Sequence, residues 1–573
     1  MYLKSPFPPL PPCPDENVHH YMFSTADPES IKDHTLYIDA ISGRKRSFVE
    51  FRERIYDAAT ALSAPPSQGG LGIDGANGEI VGIYSHNCLD YIVLVHALLV
   101  MTTPISLLSA YATPFELAHA MRTSKVTRLF VQASHYSKAL KAAEEVGLPE
   151  DRIYVLEGHH DSKKNVQDLI NDVQRSGAPR VAVKPATRDT LAYLVFSSGT
   201  SGLPKAVMIS HGNIWTTLTA SAVTKQTEDK FMNAVPPPSP PIWLLFLPFY
   251  HTYGVHMACF RNFISASTYV VVPKWDIELV LRSIQRFAVQ VLPLIPSAMH
   301  QLVNHELTTK TDLSSIVHVH SGAAYLPPVL AKKMKSFVHN TPLVFEGYGM
   351  SEQTLSAARI PIPGMFGTET KVGSVGVLIP GMEARILRPG GSDADVDEPG
   401  ELWVKGGNVA LGYFGNEKAT KETFINGWLR TGDTFKADKD GWLYLKLDSF
   451  VDRAKDTLKV SGAQVSPTEI EDCIRAHPDK LVVDVCVAGV SGGRTSDEKN
   501  PRAWIVLSDS GRQLGLEKTI GILEQWTRQN LSSYKWLRGG YELVDQIPKS
   551  PTGKVLRRVL QDKYEQTATR AKL

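Results

Sequence analysis

Between residues 79 and 155, short apolar runs take turns with stretches of helical period, and few folds accept that order. Residues 79–84 read as a strand and 89–99 as a helix. Residues 114–123 and 137–146 repeat the helical period, followed by strands at 128–131 and 152–155. Strands that alternate with helices pair in parallel, because each helix carries the chain back across the sheet. The expected class is therefore α/β, with open sheets covered by helices. Upstream, Phe48, Phe51, Ile55, Ala58 and Leu62 share one face of a further helix. Residues 1–35 are rich in proline and predict an extended arm. Residues 158–188 predict a polar loop or short helix.

At 573 residues the chain exceeds what one core serves. Apolar residues at 43% and charged residues at 21% fit a soluble globular enzyme. A net charge of +2 offers no electrostatic footprint for nucleic acid. The five cysteines, Cys13, Cys88, Cys259, Cys473 and Cys486, form no C-x-x-C pair, which predicts free thiols in a reducing compartment and no thiolate metal site. No run reaches the roughly 18 apolar residues of a membrane span, and the first residues lack the apolar core of a signal peptide.

The chemistry starts at Ser197-Ser198-Gly199-Thr200-Ser201-Gly202-Leu203-Pro204-Lys205. Apolar runs at 191–196 and 206–209 flank it, so the loop joins two strands. Small side chains let backbone N–H groups approach an anion, the hydroxyls donate to it, and Lys205 adds a positive charge. The P-loop pattern fails, because Pro204 stands where its second glycine belongs.

Further on, His251 follows an apolar strand ending at Pro248, among aromatic rings. On general grounds such a histidine is a structural hydrogen-bonder. Gly322-Ala323-Ala324 ends a strand with residues small enough for a flat ligand to pass. In Glu346-Gly347-Tyr348-Gly349-Met350-Ser351-Glu352, the glycines free the Tyr348 ring to stack on adenine. Ser351 offers a hydroxyl to a phosphate, and Glu352 a hard oxygen to Mg²⁺. Asp433, expected on a glycine turn, suits two ribose hydroxyls. Residues 370–450 carry short strands and glycine turns, predicting a small barrel-like β subdomain. Residues 465–573 predict a small α+β domain, in which Lys554 sits on a mobile glycine turn.

These motifs, in this order, resemble the adenylate-forming (AMP-binding) superfamily, nearest its 4-coumarate-CoA-ligase-like branch of acyl- and aryl-CoA synthetases. The resemblance runs from about residue 40 to 560. It implies a large domain over residues 1–451, a hinge and linker over 452–464 and a mobile C-terminal domain over 465–573. It implies ATP, Mg²⁺ and CoA as the reaction's partners, with a small carboxylic acid activated as its adenylate and then passed to CoA. By the same match Ser197, Ser198, Gly199, Thr200, Ser201, Gly202 and Lys205 hold phosphate. Ala323, Glu346, Gly347, Tyr348, Ser351 and Asp433 hold the rest of the nucleotide, and Glu352 with Thr200 holds the metal.

His251, Tyr253, Met257, Ala323, Gly347 and Gly349 line the acid pocket by this match. Asp452 is the hinge, Arg453 contacts ribose or phosphate, and Lys459 and Gln464 serve the nucleotide and thioester sites. Lys554 is the catalytic lysine, assisted by Lys205, Arg453 and His251. In the family the small domain rotates between the two half-reactions. The pattern departs at Tyr325, where the family has Pro, and at Ser461, where it has Lys. A carrier-charging adenylation enzyme, a luciferase-like oxygenase and a non-catalytic nucleotide-binding protein stand as alternatives. The tail Ala571-Lys572-Leu573 resembles the S-K-L peroxisomal address and points to the peroxisomal import receptor.

Overall fold

The computed structural model describes residues 1–24, 33–161, 163–197, 204–232, 239–261, 264–324, 326–340, 344–445, 458–460, 463–492, 498–548 and 555–570. The chain divides into two compact units. The first comprises Met1–Ala110, Met121–Phe196 and Ala206–Val451; the second comprises Tyr111–Ala120, Ser197–Lys205 and Asp452–Leu573.

The first unit is built on two large sheets. In the seven-stranded sheet Val81–Tyr84 pairs in parallel with Ile105–Leu108 on one side and Arg128–Gln132 on the other. Leu191–Ser197 and Ile153–Glu157 extend it in parallel. The sequence reading passed over Ile105–Leu108, whose four residues are all buried near the sheet's centre. It escapes notice because only four residues separate it from the preceding helix, with Thr102 making the turn at φ 53°.

The nine-stranded sheet has a parallel core of Thr35–Asp39, Thr268–Val271, Ile242–Leu245, Val291–Leu294, His318–Ser321 and Val344–Tyr348. Short antiparallel strands close both edges. Helix Ile277–Phe287 lays Val280, Leu281 and Ile284 into this sheet's core.

Helix Leu89–Val100 lies in the main core with every residue buried. It is apolar almost all round, so it has no face to offer water and is stable only when packed on every side. Its polar exceptions are Asp90, held by Arg54 at 2.8 Å and Arg46 at 3.0 Å, and His96. Burial pulls that imidazole down to a pKa of about 4, which keeps it neutral. Nε2 lies 2.8 Å from the Cys259 carbonyl, and Nδ1 lies 3.2 Å from Nδ1 of the buried His19. A carbonyl only accepts, so His96 carries its proton on Nε2 and accepts from His19 at Nδ1.

The N-terminal stretch is more ordered than an extended arm. Tyr2–Lys4 is a strand, antiparallel to Glu383–Leu387, with Tyr2 opposite Arg385. Helix Val18–Ser24 buries Val18, His19 and Met22. The β subdomain also differs from the expected barrel. Its described strands form a six-stranded antiparallel sheet whose path runs Tyr2–Lys4, Glu383–Leu387, Gly400–Lys405, Trp428–Ala437, Phe424–Ile425. Among the described residues that path stays open.

The second unit packs helices Pro467–Arg475 and Leu516–Asn530 on antiparallel strands Val482–Val490 and Asn500–Leu507, with Tyr541–Leu543 added in parallel. Ile470, Ile474, Val485, Val487, Ile505 and Leu523 form its core. The buried Glu471 carboxylate takes the Val487 N–H at 2.7 Å and the Arg557 guanidinium at 2.9 Å, anchoring helix Arg557–Arg570 to the strands.

Candidate functional site

In open parallel sheets, ligands bind beyond the carboxyl ends of the strands. The cleft of the first unit obeys that rule. Strand His318–Ser321 runs out into Gly322 and Ala323, and Val344–Tyr348 runs out into Gly349 and Met350. The opposite wall is helix His211–Met232, which presents Thr217, Ala220, Ser221 and Thr224 at helical spacing. The cavity measures about 130 Å³. The three hydroxyls on this wall are turned back on the helix, donating to the carbonyls of Asn213, Thr217 and Ala220 at 2.8–3.0 Å. Their proton is spent, so the wall offers a ligand mainly methyl groups and lone pairs.

One end of the cleft carries Ala323, Glu346, Gly347 and Tyr348, expected to hold a nucleotide, while Ser351, Glu352 and Asp433 are not among its lining residues. Asp433 does not sit on a turn. It lies inside strand Trp428–Ala437, where Gly432 at φ 71° bends the backbone. Its N–H donates to Thr431 Oγ1 at 3.1 Å, and its Oδ2 accepts from the Tyr348 hydroxyl at 2.8 Å. Burial, and then the Asp433 charge, push the Tyr348 hydroxyl well above its usual pKa, so it stays a donor. Its ring meets Phe435 edge-on with centroids 4.8 Å apart, which occupies one side of it.

Two backbone constraints shape the same end. A Cβ on Gly349 would fall 1.8 Å from the Leu355 carbonyl oxygen, so glycine is required there by chain crowding as well as by any ligand. Ala323 holds φ at 66°, a left-handed conformation that costs a residue with a Cβ about 1 kcal/mol or more. Glu352 is 4% exposed and accepts from the Tyr413 hydroxyl at 2.8 Å. Ser351 Oγ lies 3.4 Å from Thr252 Oγ1. Glu346 lines the cavity, and burial alone lifts its carboxyl to a pKa of about 7.

The rest of the cleft is aromatic and charged. His251 caps helix Thr252–Val255, its Nδ1 accepting the Tyr253 N–H at 3.2 Å. The side chain is open to the cleft's solvent, yet the surrounding walls pull its pKa down to about 4, leaving a neutral ring with its proton on Nε2. The Tyr253 ring passes 3.4 Å from where a Cβ on Gly322 would stand. Trp243, His320 and Phe345 stack in sequence across the sheet, with centroids 5.8 and 5.5 Å apart. Arg261 lies over Trp243 at 5.7 Å, and Arg359 Nη2 lies 2.8 Å from Glu228 Oε1.

Of the residues singled out in the sequence, Ala323, Glu346, Gly347, Tyr348, Gly349, His251 and Tyr253 all line this one cavity. Met257 does not. It is 1% exposed, in the core behind the wall, and meets the cleft only through Arg261, whose Nη1 is 3.8 Å from its sulfur. Ser197 ends one strand and Lys205 begins the next. Ser198, Gly199, Thr200, Ser201, Gly202, Asp452, Arg453, Lys554, Tyr325, Ser461 and the tail Ala571-Lys572-Leu573 lie outside the described residues. Lys459 and Gln464 fall in the paired strands Leu458–Val460 and Ala463–Val465.

The sequence reading missed Arg261, Arg359, Glu228 and the helix wall as parts of the site. The wall had a signal, small polar residues at 217, 221 and 224; the charged residues had none.

Comparison with known proteins places these features in a family. The model described as AMP-binding enzyme matches residues 26–414, and that described as AMP-binding enzyme C-terminal domain matches residues 469–554. An acyl-CoA ligase from Alternaria alternata is 30% identical, covering 97% of this chain and 96% of the relative. A probable 4-coumarate–CoA ligase from Dictyostelium discoideum is 29% identical, covering 92% of each. Among solved structures, an amide bond synthetase from Marinactinospora thermotolerans superposes with a TM-score of 0.76 at 22% identity, over 96% of this chain and 99% of that one, a likeness of fold.

Proposed function

Because this chain belongs to the AMP-binding enzyme family, we propose that it is an acid–thiol ligase that activates a carboxylic acid with ATP and passes the acyl group to CoA. One observation carries the reading: a single cleft joins the Tyr348–Asp433 pair, suited to adenosine, to an aromatic pocket, suited to an acid.

In the first step a carboxylate oxygen attacks the α-phosphorus of ATP and the bond to pyrophosphate breaks. Such displacements are limited by charge and positioning rather than by covalent help from the protein. Asp433 accepts from ribose hydroxyls while Tyr348 holds its other oxygen. The neutral His251, with its proton on Nε2, donates to the acid without adding charge. Lys205 and Lys554 neutralise phosphate oxygens. In the second step the CoA thiol attacks the acyl carbon, the thioester bond forms and AMP leaves.

Mg²⁺ fits the donor set. Glu352 through a carboxylate oxygen and Thr200 through its hydroxyl would hold it, which suits an ion that takes its other ligands from nucleotide and water. When bound, it supplies charge neutralisation at the phosphates. The tail Ala571-Lys572-Leu573 supports a peroxisomal address. Deleting those three residues from a tagged protein should move it from peroxisomes to the cytosol, and unchanged import would end that idea.

The deciding test of the activity is pyrophosphate release from ATP and Mg²⁺ over a panel of acids, with and without CoA. Acid-dependent release that rises with CoA is expected. Release indifferent to CoA points to a carrier-charging or oxidative enzyme. Lys554→Ala should lose adenylate formation by about 10²–10³-fold while still converting preformed acyl-adenylate to thioester; equal loss of both steps would remove Lys554 from its assigned role.

A further inference from the structure

The acid pocket holds more positive charge than the protein itself balances. Arg261 lines it at the end of the segment His256–Phe260, and Arg359 lines it from strand Ala358–Arg359. Glu228 on helix His211–Met232 is the one carboxylate bound to either, at 2.8 Å from Arg359, among the described residues. Both guanidiniums act on the same neighbours. Burial raises the Glu228 pKa while Arg359 and Arg261 pull it back down. Burial, with Arg261 and Arg359 adding to it, holds His320 well below its usual pKa, so that ring is neutral. Arg261 also acts on Arg359 as a like charge. Glu346 shares the cavity, but neither arginine acts on it and burial keeps it half-protonated near neutrality. The tally at this end is two guanidiniums against one paired carboxylate.

A guanidinium left without a counter-anion at a half-buried site is costly. Among the described residues Arg261 meets the Trp243 ring at 5.7 Å and the Met257 sulfur at 3.8 Å, which are weak partners for a full charge. Its fork matches a carboxylate in geometry as well as in charge. The same cavity is lined by His251 and Gly349, where the acid's reacting carboxylate belongs under the activity proposed above. We infer that the substrate is a dicarboxylic acid, bound with one carboxylate at the nucleotide end and its far carboxylate on Arg261. This rests on that proposed activity for the reacting end, and on the charge of the pocket alone for the far end.

The test uses matched pairs of equal length: hexanoic and adipic acid, octanoic and suberic acid, 4-methylcinnamic and 4-carboxycinnamic acid. Pyrophosphate release and calorimetric binding are both measured on the full chain. The diacid of at least one pair should be preferred in kcat/KM by about tenfold or more, the worth of one charge-assisted hydrogen bond. Arg261→Met should erase that preference, bringing the diacid-to-monoacid ratio of kcat/KM down to one or below. Arg261→Lys should keep part of it, which separates lost charge from lost folding. A monoacid preferred in every pair, or a preference that survives Arg261→Met, overturns the inference. Diacid binding that depends on Arg261 without any pyrophosphate release would instead overturn the proposed activity and leave the inference standing.

Discussion

The two large sheets of the first unit follow one architecture and are put to different uses. In the seven-stranded sheet Val81, Ile83, Tyr84, Leu129, Phe130 and Val131 are all at 0% exposure. That is what a parallel sheet covered on both faces requires. The nine-stranded sheet breaks the requirement on a few of its strands, where Trp243, His318, His320, Phe345 and Glu346 replace aliphatic side chains. Its cleft lies where those strands end. His320 and Glu346 stand in parallel strands at the cleft, where an open face spares them the cost that full burial of a polar side chain on such a sheet would carry.

The sharpest way to break this contrast is Phe130→Ala in the first sheet. It should cost about 3–5 kcal/mol in urea unfolding while leaving kcat of the folded fraction unchanged; a matching loss of turnover would show that the two sheets are not separable in function.

Next in size is acid. His96 has a pKa of about 4 in the fold, against about 6.5 unfolded. Above pH 6.5 both states are neutral and nothing is lost. As pH falls from 6.5 to 4 only the unfolded chain takes up the proton, so stability drops by up to about 3 kcal/mol. His96→Leu, whatever its own cost, should flatten the pH slope in that window by one proton, read by denaturant titration at several pH values.

Glu346 on the cleft side has the opposite sign. Its pKa is about 7 folded and about 4.5 unfolded, so stability is full below pH 4.5 and falls by about 3 kcal/mol as pH rises to 7. Glu346→Gln should therefore melt higher than the parent at pH 8 and alike at pH 4; equal shifts at both values would remove burial as the cause. The smallest effect is Tyr348→Phe, which leaves Asp433 Oδ2 without its donor. About 1 kcal/mol is at stake, or roughly a fivefold rise in KM for ATP, with KM for the acid unmoved.

Much of this was legible in the chain because it is local. The helical periods at 48–62 and 89–99 and the apolar runs at 79–84 and 128–131 carry their own structure, and the glycine-flanked Tyr348 carries its own motif. The missed parts depend on distance in sequence. Ile105–Leu108 and Thr35–Asp39 are strands because a sheet is waiting for them, and no pattern of four or five residues announces that. Asp433 looked like a turn because Gly432 precedes it; tertiary pairing drew both into a ten-residue strand. Glu228 and Arg359 are 131 residues apart, and neither has a sequence neighbour that hints at the other.

The strand Tyr2–Lys4 has a further consequence, in time rather than in energy. It is made before its partner, Glu383–Leu387, which is synthesised about 380 residues later. At roughly 5–20 residues per second, the opening strand spends on the order of 20–80 s with its backbone hydrogen bonds unmet by their partner. The sheet of the β subdomain thus takes one edge strand from a segment about 380 residues upstream, and that edge can pair only once Glu383–Leu387 has been made.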